Sequence, residues 1–182
     1  MSVGSEPDGL DRDDLAGVVD LFAWLTREEL SRAFSELAFK QRTTLDADAI
    51  DEAIDVAVAE YALVPAPPDA VSVGGGERDV DGPAGDGRDD EPLAVGPAAF
   101  PSLPDGAADL PHILDLPDRA VDRAVLSEAV RERLSTDAVA AITEDDTARL
   151  EVLADVTYDI ETWAPVDAAP IRERIVAELE TE

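Results

Sequence analysis

Net charge is the property that most limits how this chain can fold. The sequence of 182 residues carries 43 acidic and 14 basic side chains, a formal charge of −29 at pH 7. Such a charge repels itself in a compact state. Molar salt shortens the Debye length to about 3 Å and so removes most of the repulsion. We therefore interpret the composition as that of a salt-accumulating halophile, in which acidity serves solvation and indicates no particular ligand.

The composition also bears on cofactors and on location. The chain has no cysteine, which excludes disulfides and thiolate metal ligands. No apolar run approaches the roughly 20 residues that span a bilayer. Residues 1–9 lack the basic and apolar regions of a signal peptide and read as a disordered lead-in. We expect a cytoplasmic protein that makes no membrane contact and holds no cofactor.

Apolar residues at helical spacing predict three helices within residues 10–66. The first helix has one apolar face, formed by Leu15, Val18, Val19, Phe22 and Leu25. Thr26 and Glu29 then match a capping box, which predicts that the second helix begins with almost no loop before it. This second helix is expected to run to about Lys40.

A third helix and two short strands complete the order expected of a winged helix. Asp46 or Asp48 is expected to cap the third helix. The strand candidates are residues 62–64, 93–95 and, more weakly, 71–73. Residues 67–92 are acidic and rich in glycine and proline, which predicts a disordered loop that enlarges the wing.

The rest of the chain is predicted to be coil and then helix. Residues 93–117 form a wing strand and a proline-rich coil that packs in an ordered way, because proline reduces the entropy lost on folding. Residues 118–182 are expected to form helices packed on or beside the N-terminal unit. Their predicted positions are a helix to Leu134, a short one around Val139 and Ile142, and two more capped by Thr143 and Asp167. The fold class is therefore mainly α with a short β wing.

Five segments along the chain carry a family resemblance. They are LAGVVDLF at 15–22, the stretch 30–40 that ends in ELAFK, GPAAFP at 96–101, LPHILD at 110–115 and WAPVD at 163–167. Together they resemble a family of halophilic archaeal proteins that is named only as a domain of unknown function. The resemblance supports a halophilic source, and it implies no activity, cofactor or catalytic residue.

The third helix bears on DNA binding, because the second helix of a helix-turn-helix enters the major groove. Here that region carries six acids and no base, namely Asp46, Asp48, Asp51, Glu52, Asp55 and Glu60. Counterion release supplies no affinity to a surface that lacks cations. Direct reading of DNA is disfavoured, whereas a winged helix that binds proteins remains open.

Three cations near the end of the second helix form a candidate contact site. Arg32, Lys40 and Arg42 are suited to a phosphate backbone or to an acidic partner. The alternative is a favourable interaction of these cations with the helix dipole, worth about 0.3–1 kcal/mol. We favour the dipole interpretation, because three charges make a small footprint.

The single histidine is the strongest candidate for metal binding or catalysis. His112 has Asp109 and Asp115 three residues away on either side, a set of ligand types that suits zinc, iron or manganese. Pro111 and Pro117 argue against a regular helix that would bring the three together. We therefore favour a turn role and predict no metal site and no catalytic residue. An enzyme with a pocket around His112 is the third-ranked possibility.

Three aromatic residues form a candidate protein-interaction surface. Trp24 and Phe39 lie off the apolar faces of the first two helices, and Phe100 lies in the proline-rich coil. They either pack beneath neighbouring segments, which we favour for Trp24 and Phe39, or they form an exposed patch for a partner. The leading hypothesis is a non-catalytic module that binds another protein, and the alternative is a DNA-binding regulator.

The charge predicts a salt requirement. Dilution of KCl from molar to about 0.1 M restores repulsion between the carboxylates, so the protein is expected to loosen or unfold. Circular dichroism across this range measures the effect. A spectrum that does not change with salt would contradict the halophile interpretation.

Overall fold

The computed structural model describes residues 10–74 and 87–181. In these residues the protein is mainly helical, with a small antiparallel sheet. The helices are α1 Arg12–Asp20, α2 Arg27–Lys40, α3 Ala47–Ala59, α4 Leu110–Leu114, α5 Arg123–Thr143, α6 Thr147–Trp163 and α7 Ala169–Leu179. The strands are β1 Trp24–Thr26, β2 Leu63–Pro65, β3 Val71–Val73, β4 Pro92–Val95 and β5 Arg119–Val121.

The first predicted helix is too long, because the chain turns before Phe22. Helix α1 ends at Asp20, and Ala23 adopts a φ of 67°, which directs the next residues into strand β1. The capping box is confirmed. The Thr26 hydroxyl accepts a hydrogen bond from the Glu29 N–H at 3.2 Å, and the Glu29 carboxylate accepts one from the Thr26 N–H at 2.9 Å. Asp46 caps α3, as the sequence predicts.

The main sheet has the strand order β1-β4-β2, with both pairings antiparallel. Side chains alternate across a strand, and here both faces are covered. Leu63 and Leu93 belong to a hydrophobic core formed with α1, α2, α3 and α4. Val64 and Ala94 belong to a second core formed with α5, α6 and α7. The sheet therefore lies between two helical layers.

Both ends of the predicted disordered loop 67–92 are ordered, and the weaker strand candidate 71–73 within it is confirmed as β3. Residues Pro68–Ala70 and Arg88–Asp90 form short 3-10 helices, and β3 lies between the first of these and Gly74. The reason is a partner strand from outside the loop, since β3 pairs antiparallel with β5. The middle of the loop, residues 75–86, and the predicted lead-in 1–9 lie outside the described residues.

The segments after β4 are more regular than predicted. The proline-rich coil contains α4, in which Pro111 occupies the first turn, where a missing N–H costs little. The two helices predicted around Leu134 and Ile142 are one helix, α5, capped by Asp122. Asp146 rather than Thr143 caps α6. The N-cap of α7 is Ala168, while Asp167 accepts a hydrogen bond from the Ala169 N–H.

Tyr61 joins α3 to the C-terminal helices. Its side chain is fully buried, and its hydroxyl donates to Asp137 of α5 at 2.5 Å. The guanidinium of Arg133 lies 4.1 Å from the ring centre and donates to the carbonyl of Val58 at 2.7 Å. Arg149 of α6 donates to the carbonyl of Ala59 at 2.6 Å. Carbonyls at the end of α3 are thus satisfied by arginines from the other layer.

The close approach of α1 to the proline-rich coil generates a test. A Cβ added at Gly17 would lie 1.8 Å from the carbonyl oxygen of Ser102, so Gly17→Ala forces the coil away. We expect a loss of about 1–3 kcal/mol from overpacking, although alanine is the better helix former. Urea unfolding in molar KCl measures the change. Gly87→Ala is the control, because the nearest atom to its added Cβ is 4.0 Å away. Equal stability of both variants would contradict the packing described.

Candidate interaction surface

Trp24 is buried and does not belong to an exposed surface, which corrects its assignment as a candidate contact residue. Its side chain is 8% exposed, and its indole N–H donates to the carbonyl of Ser72 at 3.2 Å. The guanidinium of Arg119 stacks 4.0 Å above the ring. The packing that we favoured for Trp24 is therefore found, although the covering groups come from β3 and β5.

Arg119 links this tryptophan to the start of α2. Its two terminal nitrogens each donate to the Glu29 carboxylate at 2.7 Å, and one of them also donates to the Trp24 carbonyl at 3.1 Å. Burial alone raises the pKa of Glu29, but hydrogen bonds from Arg119 and from the Thr26 N–H, with the charge of Arg119, lower it overall. Glu29 is thus ionised and serves both the capping box and the ion pair.

Phe39 is exposed, contrary to the packing that we favoured for it. Its side chain is 82% exposed, the largest value among the described large hydrophobic residues. Arg32, Ser35 and Phe39 follow one another at helical spacing on the solvent face of α2, and Arg42 is exposed at the corner beyond the helix. We call these four residues the α2 outer face.

The cations of this region differ in their ionic partners. Nine of the thirteen lysine and arginine side chains in residues 10–74 and 87–181 form ion pairs with carboxylates. Lys40 is one of them, since its ammonium donates to Asp109 and lowers the pKa of that carboxyl by hydrogen bonding and by charge. Within the described part of the chain, the guanidinium groups of Arg32, Arg42 and Arg174 form neither a hydrogen bond nor an ion pair. The structure therefore leaves two of the three predicted contact residues free.

Phe100 is also exposed, at 77%. It lies in the proline-rich coil after β4, which passes first α1 and then the end of α2. Its N–H donates to the Asp13 carboxylate at 3.0 Å, so α1 holds the backbone while the ring faces solvent. Further along, Gln41 donates to the carbonyl of Asp105 at 3.2 Å, next to the Lys40–Asp109 pair. The coil is thus fixed at both ends, and it presents a second exposed aromatic residue.

The outer side of α3 is acidic, as the sequence predicts. Asp48, Asp51 and Glu52 are exposed, and the helix contains no lysine or arginine. Asp55 is neutralised by Arg27 at 2.7 Å and by Arg88 at 2.5 Å. The free charges on this helix surface are therefore all negative.

His112 lies on the exposed side of α4, and its ring faces solvent rather than a pocket. In residues 10–74 and 87–181, no group of three or more histidine or acidic side chains is arranged to hold a metal ion. The pKa of Asp109 is lowered first by the hydrogen bond and charge of Lys40, and least by the charge of His112.

The fold defines a mainly helical protein with a small antiparallel sheet, in which the rings of Phe39 on α2 and of Phe100 after β4 are exposed. Its residues 13–180 match the model of a family of unknown function, DUF7109, and the chain belongs to this family. The comparisons with curated proteins and with solved structures give no match. None of the helices described is long and apolar enough to cross a membrane.

The ion pair of Glu29 generates a pH-dependent test. Glu29→Gln keeps the capping geometry but leaves the buried Arg119 without its carboxylate, and we expect a loss of about 1–3 kcal/mol at neutral pH. The pKa of Glu29 is below its usual value of 4.5 in the folded state. The contribution of ionised Glu29 to the free energy of unfolding is therefore complete above pH 4.5 and is lost as the pH falls through the folded pKa.

Urea unfolding of the wild type and the variant at several pH values measures this difference. The matched control is Glu128→Gln, which removes an exposed pair with Arg131 on one helix and is expected to change stability little. A Glu29→Gln effect that is as small as the control effect at neutral pH would show that the ion pair does not stabilise the fold.

Proposed function

We propose that the protein is a non-catalytic module that binds another protein through the α2 outer face. On this proposal it works in a cytoplasm with molar salt, where its acidic surface keeps it soluble. Its N-terminal unit is a winged helix that serves protein contact rather than DNA reading. The partner offers an apolar group to Phe39 and carboxylates to Arg32 and Arg42.

The order of the elements supports a winged-helix unit. A helix, a strand and two helices are followed by β2 and β4, and β4 pairs with both β2 and β1. In a winged helix, likewise, the last strand lies between the strand that precedes it and the strand that follows the first helix. The long connection from β2 to β4 corresponds to the wing.

The charge of α3 supports a protein partner over DNA. This helix corresponds to the one that enters the major groove in a helix-turn-helix, and its free charges are negative. Phosphates would meet carboxylates there, and molar salt weakens the repulsion without creating an attraction. A mode that uses α3 to read bases is therefore disfavoured.

The observation that carries the proposal is the exposure of Phe39 beside two arginines without ionic partners. Aromatic and arginine side chains contribute most of the binding energy in many protein interfaces. Acidic groups are abundant in this chain, and most other cations of the described residues are paired with them. The lack of such a partner at Arg32 and Arg42 is therefore unusual. At molar salt only direct contacts retain strength, so a partner must reach these guanidinium groups closely.

The experiment compares the same substitution at two exposed phenylalanines, one on the α2 outer face and one outside it. The tagged protein retains partners from a lysate of the native host in molar KCl, with and without nuclease, and the affinity for each retained protein is then measured with purified components. We expect Phe39→Ser to weaken binding about tenfold or more. Phe100→Ser, an equally exposed aromatic residue outside α2, is expected to leave the affinity unchanged.

The arginines have a matched control in the same chain. Arg32→Gln and Arg42→Gln are expected to weaken the same complex, whereas Arg174→Gln, an exposed and unpaired arginine of α7, is expected to have no effect. Loss of binding with Phe100→Ser but not with Phe39→Ser would assign the contact to the coil after β4. Equal binding by all variants would reject both surfaces.

A DNA-binding regulator is the second candidate, favoured by the order of the elements and by the unpaired guanidinium groups of Arg32 and Arg42. In this case Arg32, Arg42 and Lys40 contact phosphates while α3 remains outside the groove. The candidate predicts discrete DNA sites in the nuclease-free sample and a loss of binding in Lys40→Glu. Binding of the purified protein to those sites in molar KCl would place this candidate first.

A further inference from the structure

An open cleft of about 220 Å³ lies between the N-terminal unit and the first turns of α5. Five parts of the chain meet there: the end of α1, the turn before β1, the end of β4, strand β5 and helix α5. The apolar part of its lining consists of Ala23, Ala94, Val95, Val121 and Leu126. This volume is below the roughly 300–1,000 Å³ of most ligand pockets, so only a small ligand fits.

Two side chains of opposite charge complete the lining, Asp20 at the end of α1 and Arg123 at the start of α5. The guanidinium of Arg123 is held in place, since it stacks 4.6 Å from the centre of the Trp163 ring and donates to the Trp163 carbonyl at 3.1 Å. Only one of its terminal nitrogens is used in this way. The Asp20 carboxylate forms no hydrogen bond or ion pair with any described residue, and it is exposed.

The two charges remain available because they do not pair with each other. In a chain where most described cations have a carboxylate partner, Arg123 instead bonds to a carbonyl and leaves Asp20 free. A simple anion would meet repulsion from Asp20, and a simple cation would meet repulsion from Arg123. A molecule with both charges and a short apolar part can pair with Asp20 and Arg123 and also contact the apolar lining.

We infer that this cleft binds an aliphatic α-amino acid in its zwitterionic form. The ligand carboxylate accepts hydrogen bonds from the free nitrogens of Arg123, which favours the planar geometry of a carboxylate. The ammonium group donates to Asp20. The side chain lies on the apolar lining, and its size is limited by the small volume of the cleft.

The position of the cleft gives such a ligand an effect on the fold. It contacts the turn before β1 on one side and α5 on the other, so it bridges the two helical layers. Ala23, with its φ of 67°, holds a backbone conformation that is unfavourable for a residue with a Cβ. A ligand that binds only the folded state raises the unfolding temperature as its concentration increases.

The experiment is isothermal titration calorimetry of the full chain in molar KCl, with L-leucine and L-valine as probes. Two analogues of leucine each lack one charge. N-acetyl-L-leucine has no ammonium group for Asp20, and L-leucinamide has no carboxylate for Arg123. We expect saturable binding of the two amino acids, and affinities for both analogues that are lower by about tenfold or more.

Variants then assign the charges to their residues. Arg123→Gln and Asp20→Asn are each expected to weaken leucine binding about tenfold or more. Asp20→Asn is the safer variant for folding, because the carboxylate has no bond to lose. The control is Arg131→Gln, on the solvent face of the same helix, which is expected to bind leucine as the wild type does.

Two results would overturn the inference. One is the absence of saturable binding of either amino acid to the folded wild type, with folding verified by circular dichroism in the same buffer. The other is binding that persists unchanged in Asp20→Asn or with N-acetyl-L-leucine, since the zwitterion would then not be what the cleft recognises. Neither result bears on the α2 outer face, which lies on other elements.

Discussion

Both hydrophobic cores depend on strand β4. It is the central strand of the main sheet, and successive residues of it face opposite layers: Leu93 packs with α1, α2 and α3, while Ala94 packs with α5, α6 and α7. A strand of four residues has little stability of its own. It is held because both of its edges are paired and both of its faces are covered. The sheet thereby fixes the position of α2, which carries the α2 outer face, and of α5, which lines the cleft.

The helices of this fold were largely predictable, because their signals are local. The Thr26–Glu29 capping box and the Asp46 cap lie within a few residues of the helices that they start. The strands were not predictable to the same degree. β1 has three residues, and it forms because β4 lies beside it in the fold. β3 matches the weaker strand candidate 71–73, whereas its partner β5 falls where a helix was expected, because a pairing across many residues is not visible within one segment.

The candidate surface was predictable in its residue types and not in its geometry. Trp24 and Phe39 both lie off an apolar helical face in the sequence, yet one is covered by Arg119 and the other is exposed. The difference arises from an arginine far along the chain, whose partner Glu29 already had a predicted role in capping. Lys40 was grouped with Arg32 and Arg42 on charge alone, and its carboxylate partner comes from the coil before α4. No local pattern predicts that Asp20 and Arg123 line the same cleft, because the two residues belong to helices of different layers.

The arginines at the end of α3 have a consequence for cooperativity. Arg133 and Arg149 belong to helices of the opposite layer, and they donate to the carbonyls of Val58 and Ala59 in addition to the backbone N–H groups that cap this helix end locally. When those helices detach, the carbonyls of Val58 and Ala59 lose their arginine donors and the buried ring of Tyr61 loses its cover. The two cores are thus joined through Tyr61 and these arginines, so we expect them to unfold together rather than one after the other.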